Sequence, residues 1–339
     1  MKYMRISSLP PAMVAAWLAM ALLAPEAKAT VDESLAKARV FLDGLPPHQR
    51  EVAAVGISAP DRVQWSYLPG ARPGLRVSEL DADARRKLDE FLVMALGPDG
   101  FSRAKRIRLT EPLEERGGEV LLGPDEFRIR FFGIQGKDEP PAWAWRFEGH
   151  HLSLHQTIVG DEVVSATPIF LGSVVRNDGK GEPLGREDRR AEEILRSLTD
   201  EDRKKAIDPR RLPGDLRTAM LPEDRWSFEG GISLDQPGKI GRQLADAIVG
   251  DLLSMQPPAA VESLRKVWTK TPSKDITFAW CGDQDRSRPH QWRLVSPMII
   301  VEFSHSGGNV EHGHLVLRTR SGEFPSRAQE AWRDAPDRP

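Results

Sequence analysis

Residues 142 to 159 read AWAWRFEGHHLSLHQTIV, and this stretch indicates the class of fold. Large apolar side chains alternate with other residues on both sides of Gly149, which is typical of strands with one face against a core. Residues 127 to 132 alternate in the same way. The first strands of a β-sheet are therefore predicted in the region from about Phe127 to Phe170.

Helical patterns lie on both sides of this region. Apolar residues recur at helical spacing, and Ser78 can cap one helix that Gly97-Pro98 ends. The predicted helices span residues 31–42, 78–96, 187–198, 240–253 and 259–268, and further strands span 276–280, 291–303 and 312–318. The sequence thus predicts an α+β fold with N-terminal helices, a mostly antiparallel sheet and a solvated helical insertion over Gly181–Pro222.

The chain begins with the three parts of a secretory signal peptide. Lys2 and Arg5 precede an apolar run of about 13 residues, and Ala27-Lys28-Ala29 forms a cleavage site. That run is shorter than the roughly 20 residues of a membrane-spanning helix. We expect removal of residues 1–29 and a periplasmic or secreted protein that is not held in a membrane. One domain is expected over 30–324, or two lobes divided near 181, with a frayed tail over 325–339.

Composition excludes some partners. The 48 Lys and Arg residues against 50 Asp and Glu give a net charge of −2, which offers no excess of positive charge for nucleic acid or an anionic membrane surface. A small-molecule ligand or substrate is the expected partner. The single cysteine, Cys281, cannot form an intramolecular disulfide and is expected to be a small buried hydrophobe.

The histidines are the most informative feature for function, since seven of the eight lie between residues 150 and 314. In His312-Gly313-His314, an extended backbone sends both imidazoles to one face, with Cα atoms about 6.5 to 7 Å apart. Neutral imidazole nitrogens are good ligands for zinc or copper. The pair is therefore a candidate metal site, with solvent-facing or hydrogen-bonded histidines as the alternative.

Strand parity over residues 148–155 separates two neighbouring histidines. It places His151 and His155 on one face and His150 on the face that carries Leu152 and Leu154. His151 is therefore a third candidate ligand, and His150 is expected to be a hydrogen-bonded core residue.

Two more residues complete the candidate site. His290 follows Pro289 at the entry to a predicted strand, where functional side chains are common. Glu302 lies in an apolar strand, and a carboxylate there needs a cation, hydrogen bonds or nearby water. We expect His290 to be a further ligand and Glu302 to be a general base or an additional ligand.

These blocks together resemble the domain of unknown function 3500 family, over nearly all of residues 31 to 324. The resemblance rests on Trp143-Ala144-Trp145-Arg146-Phe147-Glu148-Gly149-His150-His151-Leu152-Ser153-Leu154, Thr167-Pro168-Ile169-Phe170-Leu171-Gly172, Phe278-Ala279-Trp280, Pro289-His290 and His312-Gly313-His314. Residues 65–69, 72–75 and 100–101 are similar to its N-terminal part.

The resemblance implies no activity, but it marks the same histidines as characteristic features. The chain departs from the family pattern at His155, where Asn is usual, at Thr319, where an acidic residue is usual, and near Ser304 and His305. If those positions belong to the family's site, this member is expected to have altered chemistry or none.

Two function classes follow from the sequence. The first is an exported protein with a transition-metal site, zinc or copper, that acts as a hydrolase or an oxidoreductase. The second is a non-catalytic periplasmic protein in which histidines and tryptophans form a ligand cleft. No nucleophile elbow, dinucleotide-binding or phosphate-binding loop motif is present to name a reaction.

Overall fold

The computed structural model describes residues 31–117, 119–134, 140–174 and 181–334. The predicted signal peptide lies outside these residues. Within them, no helix combines the length and the apolar character needed to cross a membrane.

Eight α-helices lie in the described residues. Their bounds are 31–43 (α1), Pro47–Ala53 (α2), Ala82–Leu109 (α3), Gly185–Ser197 (α4), Asp200–Ala206 (α5), Gly238–Leu253 (α6), Pro258–Lys270 (α7) and Arg327–Asp334 (α8). The strands are Ala54–Val55 (β1), Leu75–Arg76 (β2), Glu114–Arg116 (β3), Glu119–Leu122 (β4), Arg128–Phe132 (β5), Ala142–Glu148 (β6), Leu152–Val159 (β7), Glu162–Ser165 (β8), Ile169–Ser173 (β9), Ile207–Asp208 (β10), Ile232–Ser233 (β11), Thr277–Gly282 (β12), His290–Val295 (β13), Ile299–His305 (β14) and Gly313–Thr319 (β15).

Thirteen strands form one sheet, whose main path runs β1-β5-β6-β7-β9-β15-β14-β13-β12-β10. The pairs β1–β5 and β10–β12 are parallel, and the other described pairs in the sheet are antiparallel. The predicted α+β class is confirmed, with a mixed rather than purely antiparallel sheet. Strands from both sides of residue 181 share this sheet.

The two faces of the sheet differ in polarity because side chains alternate along each strand. One face carries apolar residues such as Leu154, Ile169 and Leu317, which pair in register and form one core with α1, α3, α4 and α6. The opposite face carries buried polar residues and is covered by irregular segments. Arg146, for example, donates hydrogen bonds from this face to the carbonyls of Asp61 and Gln64.

Three elements differ from the sequence prediction. The helix expected to end at Gly97 resumes after a kink, because Gly97 adopts a φ of 73° that few other residues tolerate. The insertion expected to be solvated contributes α4, whose Ala191, Ile194 and Leu195 are buried in the core. The tail expected to fray forms α8, and Ala328 on it is fully buried. Cys281 is buried and free, as predicted.

Candidate metal centre

The turn between β6 and β7 and the residues where β15 begins each carry two histidines, and these four histidines lie close together. The chain reverses between β6 and β7, where Gly149 N–H donates to the Leu152 carbonyl at 2.7 Å, so His150 and His151 lie in the turn itself. His312 directly precedes β15, and His314 is the second residue of that strand. The two features become neighbours because β9 pairs with both β7 and β15.

The imidazole rings of these residues form a compact group, which we call the histidine cluster: His150, His151, His312 and His314. Ring nitrogens of the first three all lie within 4.8 Å of one another, close enough to share a metal ion. His151 Nε2 and His312 Nε2 are 2.9 Å apart. Two ligands at tetrahedral angles with Zn–N bonds of 2.0–2.1 Å would lie about 3.3 Å apart, so the spacing is close to that of a bound site.

His314 lies beside these three rings. Its ring centroid is 4.6 Å from that of His312 and 5.6 Å from that of His151. Its Nε2 is buried and has no hydrogen-bond partner in the described structure. A buried imidazole nitrogen without a partner is costly unless it binds an ion, a ligand or water. His314 is not one of the three residues whose nitrogens all lie within 4.8 Å of one another, so it borders the candidate centre.

In each of three cluster rings, one nitrogen bonds an acceptor on a separate segment of the chain. His150 Nδ1 donates to the Tyr67 carbonyl at 2.6 Å. His151 Nδ1 contacts the Glu111 carboxylate at 2.8 Å, and His314 Nδ1 contacts the Asp215 carboxylate at 2.8 Å. An acceptor on Nδ1 holds the proton there and leaves Nε2 as the lone-pair nitrogen, which is the usual arrangement of metal-binding histidines.

Gly172 on β9 permits the two sides of the cluster to approach. A Cβ at this position would lie 2.4 Å from His151 Cδ2 and 3.1 Å from His314 Cδ2. The Gly172 N–H also donates to the His151 carbonyl at 2.7 Å. The centre therefore depends on a residue without a side chain.

Burial lowers the pKa of His150, His151 and His312 and so favours their neutral form. Desolvation lowers the pKa of His150 to about 3 and that of His312 to about 4, and neighbouring imidazoles add to the effect. The pKa of His151 lies well below its usual value for the same reasons. Burial raises the pKa of Glu111 to about 7. Neutral imidazoles are the form that binds a metal ion.

The model of a family described as a protein of unknown function (DUF3500) matches residues 27–326. The chain belongs to this family. Neither the curated proteins nor the solved structures contain a significant match. The functional proposal therefore rests on the geometry of the site.

The structure places His290 of the DUF3500 protein outside the cluster. Its Nδ1 bonds the Arg288 carbonyl and its Nε2 bonds the Asp188 carboxylate, both at 2.8 Å. Its ring stacks on Trp280 with centroids 4.5 Å apart. Both ring nitrogens of His290 therefore bond groups outside the cluster. The sequence indicated His290 as a ligand beside His151 and His312, and the structure instead places His150 beside them.

Glu302 holds a loop against the sheet. Its Oε2 and Oε1 accept hydrogen bonds from the backbone N–H groups of Arg217 and Thr218, at 2.8 and 2.9 Å. These bonds satisfy a fully buried carboxylate. Because Asp215 on the same loop contacts His314, Glu302 supports the cluster through the backbone rather than from within it.

Three of the departures from the family pattern, His155, Thr319 and His305, contact residues outside the histidine cluster. His155 Nε2 contacts Ser153 Oγ at 2.8 Å, and Thr319 Oγ1 contacts Thr167 Oγ1 at 2.9 Å. His305 Nδ1 accepts the backbone N–H of His290 at 3.3 Å. None of these three contacts involves the histidine cluster.

Sequence reasoning placed His150 in the core and did not find Glu111 or Asp215. Strand parity does not apply to His150 because the residue lies in a turn, which Gly149 directly before it signals. Asp215 follows Pro213-Gly214 in a loop, and Glu111 follows the end of α3. Nothing in their local sequence relates these carboxylates to histidines far away in the chain.

Proposed function

We propose that this protein is an exported metal-dependent hydrolase whose histidine cluster holds one transition-metal ion. The observation that carries the proposal is the convergence of His150, His151 and His312 on one point. A group of neutral nitrogen donors without a thiolate is typical of zinc and copper sites.

The surroundings of the cluster support a site built for a metal. His151 and His314 each contact a carboxylate through Nδ1, and carboxylate–histidine–metal arrangements orient the ring and raise its basicity. His312 is partly exposed, whereas the other three rings are buried. Water and substrate would therefore approach from the side of His312.

Zinc in such a site supplies a nucleophile for hydrolysis. A zinc-bound water has a pKa of about 7, so hydroxide forms near neutral pH. In this chain, Glu111 and Asp215 would keep the protons of His151 and His314 on Nδ1, and His150 would be fixed by the Tyr67 carbonyl. Copper at the same nitrogens would support oxidation instead, and the identity of the metal distinguishes the two reactions.

Metal analysis and hydrolysis assays test this proposal together. Mature protein purified from the periplasm without a histidine tag is expected to contain about one equivalent of zinc and to begin at Thr30. Hydrolysis of nitrophenyl esters and phosphoesters should disappear with a chelator and return with zinc. Copper with redox activity would favour an oxidoreductase. Bound metal with neither activity would favour a non-catalytic ligand-binding protein.

A further inference from the structure

A narrow polar cavity lies directly beside the histidine cluster. His150 and Glu111 form part of its wall, together with the guanidinium side chains of Arg72, Arg76 and Arg128. Residues of β4 also line it, and β3 and β4 form a separate two-stranded sheet. Glu126 also lines the cavity, which thus combines groups of the proposed metal centre with three positive charges and one further carboxylate.

Arg72 is fixed against the turn that carries the cluster. Its Nη1 donates to the carbonyls of Gly149 and Ser66, at 2.6 and 2.9 Å. Arg128 Nη1 in turn donates to the Arg72 carbonyl at 2.8 Å. The two guanidiniums are therefore held near His150 by backbone groups rather than by acidic side chains.

The three arginines differ in how their charge is balanced. Arg76 lies 3.3 Å from Glu79 and 3.7 Å from Glu126. Arg72 and Arg128 are half-buried, and neither has a carboxylate at ion-pair distance among the described residues. Charged groups in such positions are normally paired.

Burial adds to the cost of these two charges. It is the main cause that lowers the pKa of both Arg72 and Arg128. An anion in the cavity would offset this cost. The planar fork of Arg128 matches the oxygens of a carboxylate or a phosphate, whereas both terminal nitrogens of Arg72 already donate to backbone carbonyls, so Arg72 would act mainly through its charge.

We propose that Arg72 and Arg128 bind an oxyanion group of the substrate, a carboxylate or a phosphate, and hold it beside His150. This inference rests on the proposed function for its link to catalysis and names the class of substrate. The anion would anchor the molecule in the cavity, and the bond to be cleaved would lie toward the histidine cluster.

Anion binding to the metal-free protein tests the inference separately from the metal. Chelator-treated, dialysed protein is titrated calorimetrically with inorganic phosphate and, in a second arm, with acetate. Arg128→Gln should weaken binding by about tenfold or more, since it removes a charge-assisted contact. Arg130→Gln is the matched control, because Arg130 lies two residues along the same strand and is paired with Asp61 at 3.1 Å.

The outcomes separate the two sources of the oxyanion and the two proposals. Tighter phosphate than acetate indicates a phosphoester substrate, and the reverse indicates a carboxylate; both require loss in Arg128→Gln and retention in Arg130→Gln. No binding of either anion to the wild type, or equal affinity in wild type and Arg128→Gln, overturns the inference even if the cluster binds metal. Anion binding without metal binding keeps it and overturns the proposed function.

A conservative variant keeps the test decisive if Arg128→Gln does not fold. Arg128→Lys retains the charge but loses the fork geometry, so phosphate affinity should fall several-fold. Circular dichroism at each titration temperature establishes folding. An Arg128→Lys variant that is folded and binds phosphate as the wild type does would contradict a guanidinium-specific site.

Discussion

Gly172 is the residue on which the shape of the cluster most depends. We expect Gly172→Ala to displace His151 or His314, because its Cβ would lie 2.4 Å from a His151 ring carbon. Metal affinity should fall by about tenfold or more, and overpacking should cost about 1–3 kcal/mol of unfolding free energy. Zinc titration and urea denaturation measure the two effects.

Gly250→Ala is the control for that substitution. Gly250 lies inside α6, and an added Cβ would have nothing within 4 Å. Its stability should rise by up to about 1 kcal/mol, since alanine is the better helix former, and its metal affinity should stay at the wild-type value. Unchanged zinc affinity in Gly172→Ala would show that the two rings do not share a centre.

Substitution of the buried carboxylates Glu111 and Glu302 distinguishes a residue that contacts the histidine cluster from one that supports it through a loop. Glu111→Gln keeps an acceptor for His151 but removes the charge, and we expect zinc affinity to fall about 10- to 100-fold. Glu302→Gln should instead lower stability with little effect on zinc affinity, because Glu302 accepts two backbone N–H groups of the loop. The reverse result, measured by titration and denaturation, would assign Glu302 to the centre.

At the scale of elements, α4 is fixed to the sheet by one buried carboxylate. Asp188 accepts from His290 Nε2 at 2.8 Å and from Trp292 Nε1 at 3.1 Å, and it pairs with Arg286 at 3.1 Å. Asp188→Ala leaves His290 Nε2 and Trp292 Nε1 without an acceptor, whereas Arg286 keeps Glu182 at 3.0 Å, and the loss should cost about 3–5 kcal/mol. Zinc affinity of the folded fraction should be unchanged. Loss of zinc binding in a stable variant would return His290 to the ligand set.

Local sequence patterns predict some of the elements but not the contacts between them. Alternation over residues 142–159 predicts β6 and β7 well, since a period-two alternation of polarity is a local property of the sequence. The turn between them breaks that period, so parity does not show that His150 lies beside His151 and His312, although His150 is buried and hydrogen-bonded as predicted. The two histidine-bearing features meet because β9 pairs with both β7 and β15, and Glu111 and Asp215 contact them from other segments of the chain. Such non-local pairing depends on the order of strands in the sheet, which no local pattern encodes.

At the scale of the whole molecule, buried histidines make stability depend on pH. The pKa values of His150, His151, His155 and His312 are lowered mainly by burial, whereas those of the unfolded chain lie near 6.5. Below that pH the unfolded state takes up protons that the folded state does not, so folding becomes less favourable. The raised pKa of Glu111 has the opposite effect on the free energy of unfolding, but it is one group against the four histidines.

The metal-free protein is therefore expected to lose unfolding free energy as the pH falls from 7 to about 5. Urea denaturation at several pH values measures this directly. Saturating zinc should add stability near pH 7 by binding only the folded state. A metal-free stability that stays constant or rises over this range would contradict buried, neutral imidazoles.

Zinc titration of matched histidine variants shows whether His150, His151 and His312 form one metal site. Wild type is expected to bind one equivalent. His150→Ala should bind at least about tenfold more weakly, because it loses a ligand. His48→Ala, at an exposed site, and folded His290→Ala should bind as wild type does. Equal affinity in all variants, or loss confined to His290→Ala, would contradict the account.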